Sequence, residues 1–463
     1  VKSIKYILFV PLLFLSLFYA CTESDDFSGA PDLKLTFGRD TISFDTVFTT
    51  VGSSTQYFKI YNRNNKSLTI ESIEIVNPQQ SGFRMNIDGE PGTRITNVDI
   101  LRKDSLFGFL QVTVDPLNAN NPVLIRDSIR FVTNGNVQYV YLEAIGRDVH
   151  KWKGKTFSAD TTLTATKPYL VYDSIRVDNG ATLTIKEGVE LYFHDKASVQ
   201  VYGELDAQGL IRQPVIFRGD RLDYYNGNIP YDRVSGLWQG IVFHPQSYNN
   251  RLENVIVRNT VTGLKFLPSN TSNKKASLRN AIIHNASENV LTATDCDIDA
   301  VNCQLTNARM AVLDLDGGKY SFLHCTIANY YRFSPRFEQA VVLKDETGSM
   351  QQCDFINSIV YGSLSSELGI NTSLTNYQFI NCLIKNKEEL SNSHFVSNYW
   401  NLDPKFVLTG TNQYYECDFS LQASSAAKDK ANAAYSASAP NDLRGISRLS
   451  DSAPDIGCYE WYE

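Results

Sequence analysis

A five-residue pattern recurs through the second half of the chain and narrows the fold more than any other feature. Ala281-Ile-Ile-His-Asn285, Cys303-Gln-Leu-Thr-Asn307 and Cys325-Thr-Ile-Ala-Asn329 end on asparagines 22 residues apart in both steps. Upstream, Val255-Ile-Val-Arg-Asn259 precedes Asn285 by 26 residues; downstream, Ser358-Ile-Val-Tyr-Gly362 and Cys382-Leu-Ile-Lys-Asn386 come at steps of 33 and 24. A period near 22 with occasional insertion is what a parallel β-helix gives. Each coil turns through three short strands, cannot bury its inner face alone, and stacks on its neighbour, while insertions bulge out as loops. Cys303, Cys325, Cys382 and Ser358 share one site, where a small side chain points inward and stacks on its counterpart. Asn285, Asn307, Asn329 and Asn386 fall at a corner, where Asn tolerates left-handed backbone and can continue as a side-chain ladder.

The remainder reads as β structure too. From about Leu33 to Asp148, short runs alternate apolar and polar residues with period two: Gln56–Tyr61, Leu68–Val76, Phe109–Val114, Ser128–Val132 and Gln138–Ile145. Asn64-Asn65, Asp88-Gly89 and Asn134-Gly135 separate them, the last placed as a two-residue hairpin turn. About seven strands in this length point to a β-sandwich over 33–148. No exposed aromatic triplet announces a carbohydrate-binding role there, and the expected task of this domain is to space or brace the next one. The solenoid is expected over 152–463, closed by a C-terminal cap. The chain is expected to be all-β: a sandwich, then a parallel β-helix.

The first 27 residues carry an address. Lys2 and Lys5 lead into an apolar run from Ile7 to Phe18, then Tyr19, Ala20 and Cys21, followed at once by acidic residues. The run is short for a bilayer-spanning helix, which needs roughly 20 residues. It reads as a signal peptide over 1–20 that ends in a small residue and a cysteine, with an acidic tether over 21–32. It resembles a bacterial lipoprotein signal, in which Cys21 becomes the lipidated first residue. Ser24-Asp-Asp-Phe27 resembles the short acidic export signal that sends lipoproteins of Bacteroidota to the cell surface. The resemblance implies an outer-membrane, lipid-anchored and surface-exposed protein, with membrane lipid as one partner through Cys21 and more than one acyl chain for stable anchoring.

Net charge is -7 and no Lys/Arg cluster interrupts it, which argues against a nucleic-acid partner. After Cys21 the seven cysteines are an odd number, no CxxC occurs, and the six histidines form no HxH or HExxH. Free buried thiols are therefore expected rather than structural zinc.

Three further stretches carry a family resemblance: Gly180-Ala-Thr-Leu-Thr-Ile185, Pro214-Val-Ile-Phe-Arg-Gly-Asp-Arg221 and Gly236-Leu-Trp-Gln-Gly-Ile-Val-Phe243. They resemble the opening coils of right-handed β-helix lipoproteins of Bacteroidota, of the pectin-lyase-like fold. Phe419-Ser-Leu-Gln422, Asn441-Asp-Leu-Arg-Gly445 and Pro454-Asp-Ile-Gly-Cys-Tyr-Glu460 look like that group's closing coil, with Cys458 where relatives commonly carry Ala. The stretch before the solenoid resembles the immunoglobulin-like modules of the same surface proteins. The resemblance is specific for fold and poor for function.

Two places could carry chemistry. Asp295, Asp297 and Asp299 share one face if that stretch is a strand, as do Asp314 and Asp316 about one coil later. They are candidate carboxylates or weak calcium ligands, with solvated surface as the plainer reading and Arg309 between them as a neutralising charge. Arg221, Tyr224, Tyr225, Tyr231, Arg233 and Trp238 lie within an insertion and form either a binding loop or a lid on the open edge. No catalytic residue, metal site or cofactor is assigned. The favoured expectation is a non-enzymatic glycan-binding, adhesion or scaffolding role, with a polysaccharide or a surface protein complex as partner. The alternative is a polysaccharide lyase or glycoside hydrolase, which needs at least two carboxylates, or a base beside a calcium cage, converging in a groove.

Overall fold

The structure, a computed structural model, describes residues 25–346, 348–449 and 451–463. The segment expected to be a signal peptide, and Cys21, lie outside the described residues. The chain divides into two compact units, 1–147 and 148–463. Among the described residues it is nearly all-β, with helix confined to Pro78–Ser81, Ala433–Ser436 and a 3-10 turn at Tyr231–Arg233.

The first unit holds two five-stranded sheets. One runs Thr36–Phe37, Gln56–Tyr61, Ser105–Val112, Phe83–Ile87, Glu90–Gly92; the other runs Thr41–Phe48, Asn136–Arg147, Val123–Thr133, Leu68–Ile75, Arg94–Ile100. Alternation does what the sequence expects. In Ser105–Val112 the residues Leu106, Gly108, Leu110 and Val112 are buried, while Phe107, Phe109 and Gln111 face out. Phe58, Phe83 and Leu110 of the first sheet share one core with Ile70, Phe131 and Leu142 of the second. The hairpin turn sits where its residues demand it: Asn134 and Gly135 have φ of 51° and 72°, the pair of left-handed conformations of a tight two-residue turn. The segment expected to be an acidic tether bonds to this unit from Asp26 onward. The Ser67 amide donates to the Asp26 carbonyl at 2.9 Å, the Ser28 amide donates to Ser67 at 3.0 Å, and Lys66 pairs with Asp26.

The second unit consists of long parallel sheets, of the kind a β-helix or solenoid builds. Successive strands step through three rows. Asp297–Val301, Gln304–Ala308 and Leu313–Asp316 pair in parallel with Gly318–Leu323, Thr326–Asn329 and Val341–Lys344, one in each row. One row forms a ten-stranded sheet; the other two merge into an eighteen-stranded one. Like stacks on like inside. Phe322, Phe355, Phe379 and Phe395 are register partners whose rings stack at 4.8, 4.6 and 5.3 Å. Cys303, Cys325, Ser358 and Cys382 are fully buried at their shared position, and their thiols are unpaired.

The corner asparagines behave differently from a self-bonded ladder. Asn259, Asn285 and Asn307 have φ of 58–68°, whereas Asn329 and Asn386 are not left-handed. They bond to main chain rather than to one another: Asn307 and Asn329 accept from the Tyr330 and Ala308 amides of neighbouring coils, and the Nδ2 groups hold loops and turns. Asn259 Nδ2 donates to the carbonyls of Tyr231, Asp232 and Val234 at 2.7–2.9 Å, and Asn329 Nδ2 donates to Met310 at 3.1 Å. Loop carbonyls would otherwise be buried without a donor, so they win the competition for these amides.

A second corner runs one position before each inward small residue. Asn254, Asn280, Asn302, Asn357 and Asn381 have φ of 49–53°, and His324 takes the same conformation (φ 51°) in the coil that carries Cys325. His324 is fully buried. The Asn432 amide donates to Asn357 Oδ1 at 2.9 Å, which orients Asn357 so that its Nδ2 faces His324 Nε2 at 3.1 Å. That nitrogen must therefore accept, and the ring is neutral. Burial, with the Arg448 guanidinium nearby, pushes its pKa well below the usual histidine value. An unfolded chain binds this proton near pH 6.5. The stability it confers is therefore present above that pH and is lost as pH falls, at about 1.4 kcal/mol per pH unit. His324→Asn, which restores the residue found in the other coils, is expected to flatten the decline in melting temperature between pH 6.5 and 4.5. An unchanged slope would show that the imidazole is not buried neutral.

The C-terminal segment does not cap the stack by adding a coil. It packs along the outer face of the middle coils, where Phe419, Leu421, Leu443, Ile456 and Tyr459 cover Ala328, Ile359 and Leu383. This explains why every residue of Gln304–Ala308 and Thr326–Asn329 is buried, on both faces of the sheet. Arg448 and Glu460, both fully buried, form an ion pair, and Arg448 also donates to Asn302 Oδ1 at 2.8 Å. The Cys458 amide donates to Thr326 Oγ1 at 3.1 Å. Gly457, at φ 101°, lies so close that a Cβ would come within 2.8 Å of Ile359 and Thr326.

Candidate functional site

The insertion after Val215–Gly219 and the turn joining the C-terminal hairpin strands Phe406–Thr409 and Cys417–Leu421 meet over the corner of the coils bearing Asn285 and Asn307. They enclose a polar cavity of about 230 Å³ lined by Asp232, Arg233, Arg258, His284, Asn285, Gln304, Asn307, Tyr415, Glu416, Cys417 and Phe419. Its floor includes the cross-strand neighbours Arg258 and His284, each one place before a corner asparagine. A second loop, beginning at Tyr330, is inserted in the coil where the repeat step lengthens to 33 residues, and its Tyr331 and Phe333 border an adjoining small hollow.

Charges in the cavity are held in pairs. Asp232 faces both Arg218 and Arg258, the latter at 3.3 Å, and Arg233 lies 3.4 Å from Glu416. The Arg233 guanidinium also donates to the Tyr414 carbonyl at 2.8 Å, which ties the insertion to the C-terminal hairpin. Arg258 Nε is buried and has no hydrogen-bond partner among the described residues. Removal from solvent, together with the adjacent Arg258, pushes the His284 pKa down to about 3. At neutral pH the ring is uncharged and offers one donor and one acceptor. The lining thus combines two corner amides, Gln304, a neutral imidazole and two guanidinium groups with the rings of Tyr415 and Phe419. Gln304 and Asn307 are already bonded within the protein, which leaves the imidazole and Arg258 Nε among the polar groups open to a ligand. The volume is below the roughly 300–1,000 Å³ of a drug-sized site, so one ring-sized unit is what it admits.

The candidate loop residues divide. Arg233 lines the cavity, and the others stand behind it. Arg221 pairs with Asp223 at 2.6 Å and lies 4.1 Å over the Tyr231 ring. Tyr225 packs edge-on against Tyr231 and Phe333, while Tyr224 is half exposed. Trp238 is not a binding residue. It is fully buried, stacked 4.1 Å from Phe193, and donates from Nε1 to the Arg258 carbonyl at 2.8 Å. A tryptophan that follows a polar insertion in sequence is, in space, already back inside the coil.

The acidic candidates do not converge. Asp297 and Asp299 belong to the ten-stranded sheet and are both held by Lys274, at 2.6 and 2.9 Å. Asp314 and Asp316 belong to the other sheet; Lys344 pairs with Asp314 at 2.8 Å, and the Glu346 amide donates to Asp316 at 2.8 Å. Asp295 does not share their face. It turns the corner between strands with φ 46° and accepts from Ser349. Arg309 donates to the Ser287 carbonyl at 2.7 Å and so serves a turn rather than the acids. Among the described residues no group of three or more His, Cys, Asp or Glu is arranged to hold a metal ion.

The residues that sequence reasoning passed over are Asp232, Arg258, His284, Gln304 and Glu416. Arg258 and His284 stood in view, one place before the corner asparagine in two repeats. Their shared outward register was the available signal. Glu416 gave none, since only the C-terminal fold-back brings it to the coils.

The first unit holds a feature that corrects the sequence reading. Tyr57, Phe107 and Phe109 form an exposed aromatic triplet on the outer face of one sheet, with relative exposures of 56, 40 and 42%.

No family model matches the chain, and no curated protein matches it. Among solved structures, a family 123 glycoside hydrolase from Clostridium perfringens, reported for glycolipid glycan hydrolysis, is similar at 8% identity and a TM-score of 0.19. The match covers 26% of this chain and 30% of that one, and at this score it carries no argument about function.

Proposed function

We propose that this chain is a lipid-anchored, surface-exposed outer-membrane protein with a non-enzymatic glycan-binding role. In this reading an immunoglobulin-like sandwich spaces a right-handed, pectin-lyase-like β-helix from the membrane. The observation that carries it is the composition of the 230 Å³ cavity, in which amides, a neutral imidazole and a guanidinium surround ring-sized space while each carboxylate is held beside an arginine. A hydrolase needs carboxylates free to give and take protons at one bond, and ion pairs to arginine oppose the protonated state of an acid.

The test has two arms. Cys21→Ala is expected to move the protein from the membrane to the soluble fraction; continued membrane retention would defeat the anchor. On a glycan array, the native chain is expected to bind a defined saccharide, and Arg233→Ala, which unties the roof, to weaken that binding roughly tenfold. New reducing ends or unsaturated products on incubation with the bound polysaccharide would replace this reading with the enzymatic one.

A further inference from the structure

The outer face of the first unit's sheet carries a second group of side chains, separate from the cavity of the coils. Three strands, Phe83–Ile87, Ser105–Val112 and Gln56–Tyr61, lie side by side, so their outward residues form rows across the sheet. Asn86, Phe109 and Tyr57 are register partners in one row; Lys59 and Phe107 pair in the next, and Arg84 and Gln111 in the row on the other side. The aromatic rings make a continuous surface. Phe107 and Phe109 are nearly parallel (16°) with centroids 6.2 Å apart, and Tyr57 lies 6.2 Å from Phe107.

Planar and charged donors flank this strip. Gln111 Nε2 donates to Thr55 Oγ1 at 2.8 Å, Arg84 donates to Thr113 Oγ1 at 2.6 Å, and Lys59 Nζ sits 4.6 Å over the Phe107 ring. These bonds hold the side chains extended along the face and leave further donors on Arg84, Gln111 and Lys59. At the Phe109 end of the strip opens a hollow of about 620 Å³, lined by Thr55, Arg84, Asn86, Phe109 and Gln111 among others. It lies within the roughly 300–1,000 Å³ range of ligand sites. Burying three aromatic rings would be the ordinary choice of a sheet that only spaces domains, since exposed aromatic surface is unfavourable in water. Here they form one strip, edged by amides and cations.

We propose that this face is a carbohydrate-binding site for a pyranose polysaccharide. A pyranose ring has an apolar face of C–H groups and an equatorial rim of hydroxyls. The aromatic strip matches the first, and Arg84, Asn86, Gln111 and Lys59 match the second. The strip is open along its length, in contrast to the ring-sized cavity of the second unit. The site does not depend on that cavity.

The experiment is affinity electrophoresis of the full chain in gels containing hydroxyethylcellulose, galactomannan or amylopectin. Retardation is expected in at least one gel. Tyr57→Ala and Phe109→Ala are each expected to raise the apparent dissociation constant roughly tenfold. Tyr139→Ala and Tyr141→Ala, which remove equally exposed aromatic rings from the other sheet, are expected to leave retardation unchanged. Melting curves of the variants should overlay the native curve, because the rings are exposed. Absence of retardation in all three gels would overturn the proposal, as would retardation insensitive to Tyr57 and Phe109. A concentration-dependent dimer that Phe109→Ala dissolves would also overturn it, by assigning the face to a second copy of the chain.

Discussion

Glu367→Ala is expected to lower the stability of the second unit by roughly 3–5 kcal/mol, the usual result of stranding one member of a buried ion pair. Arg336 and Glu367 are almost completely inaccessible, and their side chains meet at 2.9 and 3.1 Å. Glu367 also accepts from the Ala340 and Leu364 amides at 2.9 Å, and Arg336 donates to Ser363 Oγ at 2.9 Å and to the Asn329 carbonyl at 2.5 Å. Removing the carboxylate leaves a guanidinium without its counter-charge and two amides without an acceptor in a dry site. In a unit of this size the melting transition should fall on the order of 10 °C. The pair pins the inserted loop that carries Tyr331 and Phe333 beside the cavity, so ligand binding should weaken in the same variant. Replacing both partners by apolar residues, Arg336→Met with Glu367→Leu, should recover much of the melting temperature, because no stranded charge remains. A single substitution with an unaltered melting curve would mean that the pair is open to water.

Trp238→Ala carries the other large effect, expected at roughly 3–5 kcal/mol. The indole lies nearly parallel (10°) to Phe193, which in turn stacks on Phe217. Truncation leaves a void among rings that neighbouring coils cannot close, and the Arg258 carbonyl loses its donor. Trp238→Phe should keep most of the packing and lose only the hydrogen bond, about 1 kcal/mol. The measurement is chemical denaturation of both variants beside glycan titration. Loss of binding with an unchanged denaturation midpoint would return Trp238 to the ligand surface.

Trp238 also shows where sequence reading reaches its limit. The repeat that ends on Asn259, Asn285 and Asn307 was legible because it keeps phase through insertions, and with it came the parallel stack and the inward cysteines. The hairpin at Asn134-Gly135 was legible because a two-residue turn has a chemical signature. What escaped were relations between distant residues. His324 hid in the second corner because it breaks an asparagine series by identity while keeping its backbone conformation. Arg448, Asp455 and Glu460 carry no sequence signal of burial, yet all three are buried, because the coil face under this segment is supplied by residues more than a hundred positions earlier. Asp297 and Asp314 looked like neighbours by coil spacing, but 17 residues is less than a full coil and puts them on different sheets. The aromatic strip of the first unit was missed for the same reason: Tyr57 and Phe109 are partners only through strand pairing.

The C-terminal fold-back changes how such a stack must assemble. Coils that touch only their neighbours can form one after another as a chain emerges, and can fray one at a time. Here Asn302 waits for Arg448, Thr326 for Cys458 and Gln304 for Tyr459, partners separated by 146, 132 and 155 positions. During synthesis the middle coils therefore stand with an apolar flank uncovered until the last residues arrive, the interval in which unfinished chains associate wrongly. Once the segment is down, it links coils that would otherwise open separately, so the middle of the stack is expected to come apart in one cooperative step.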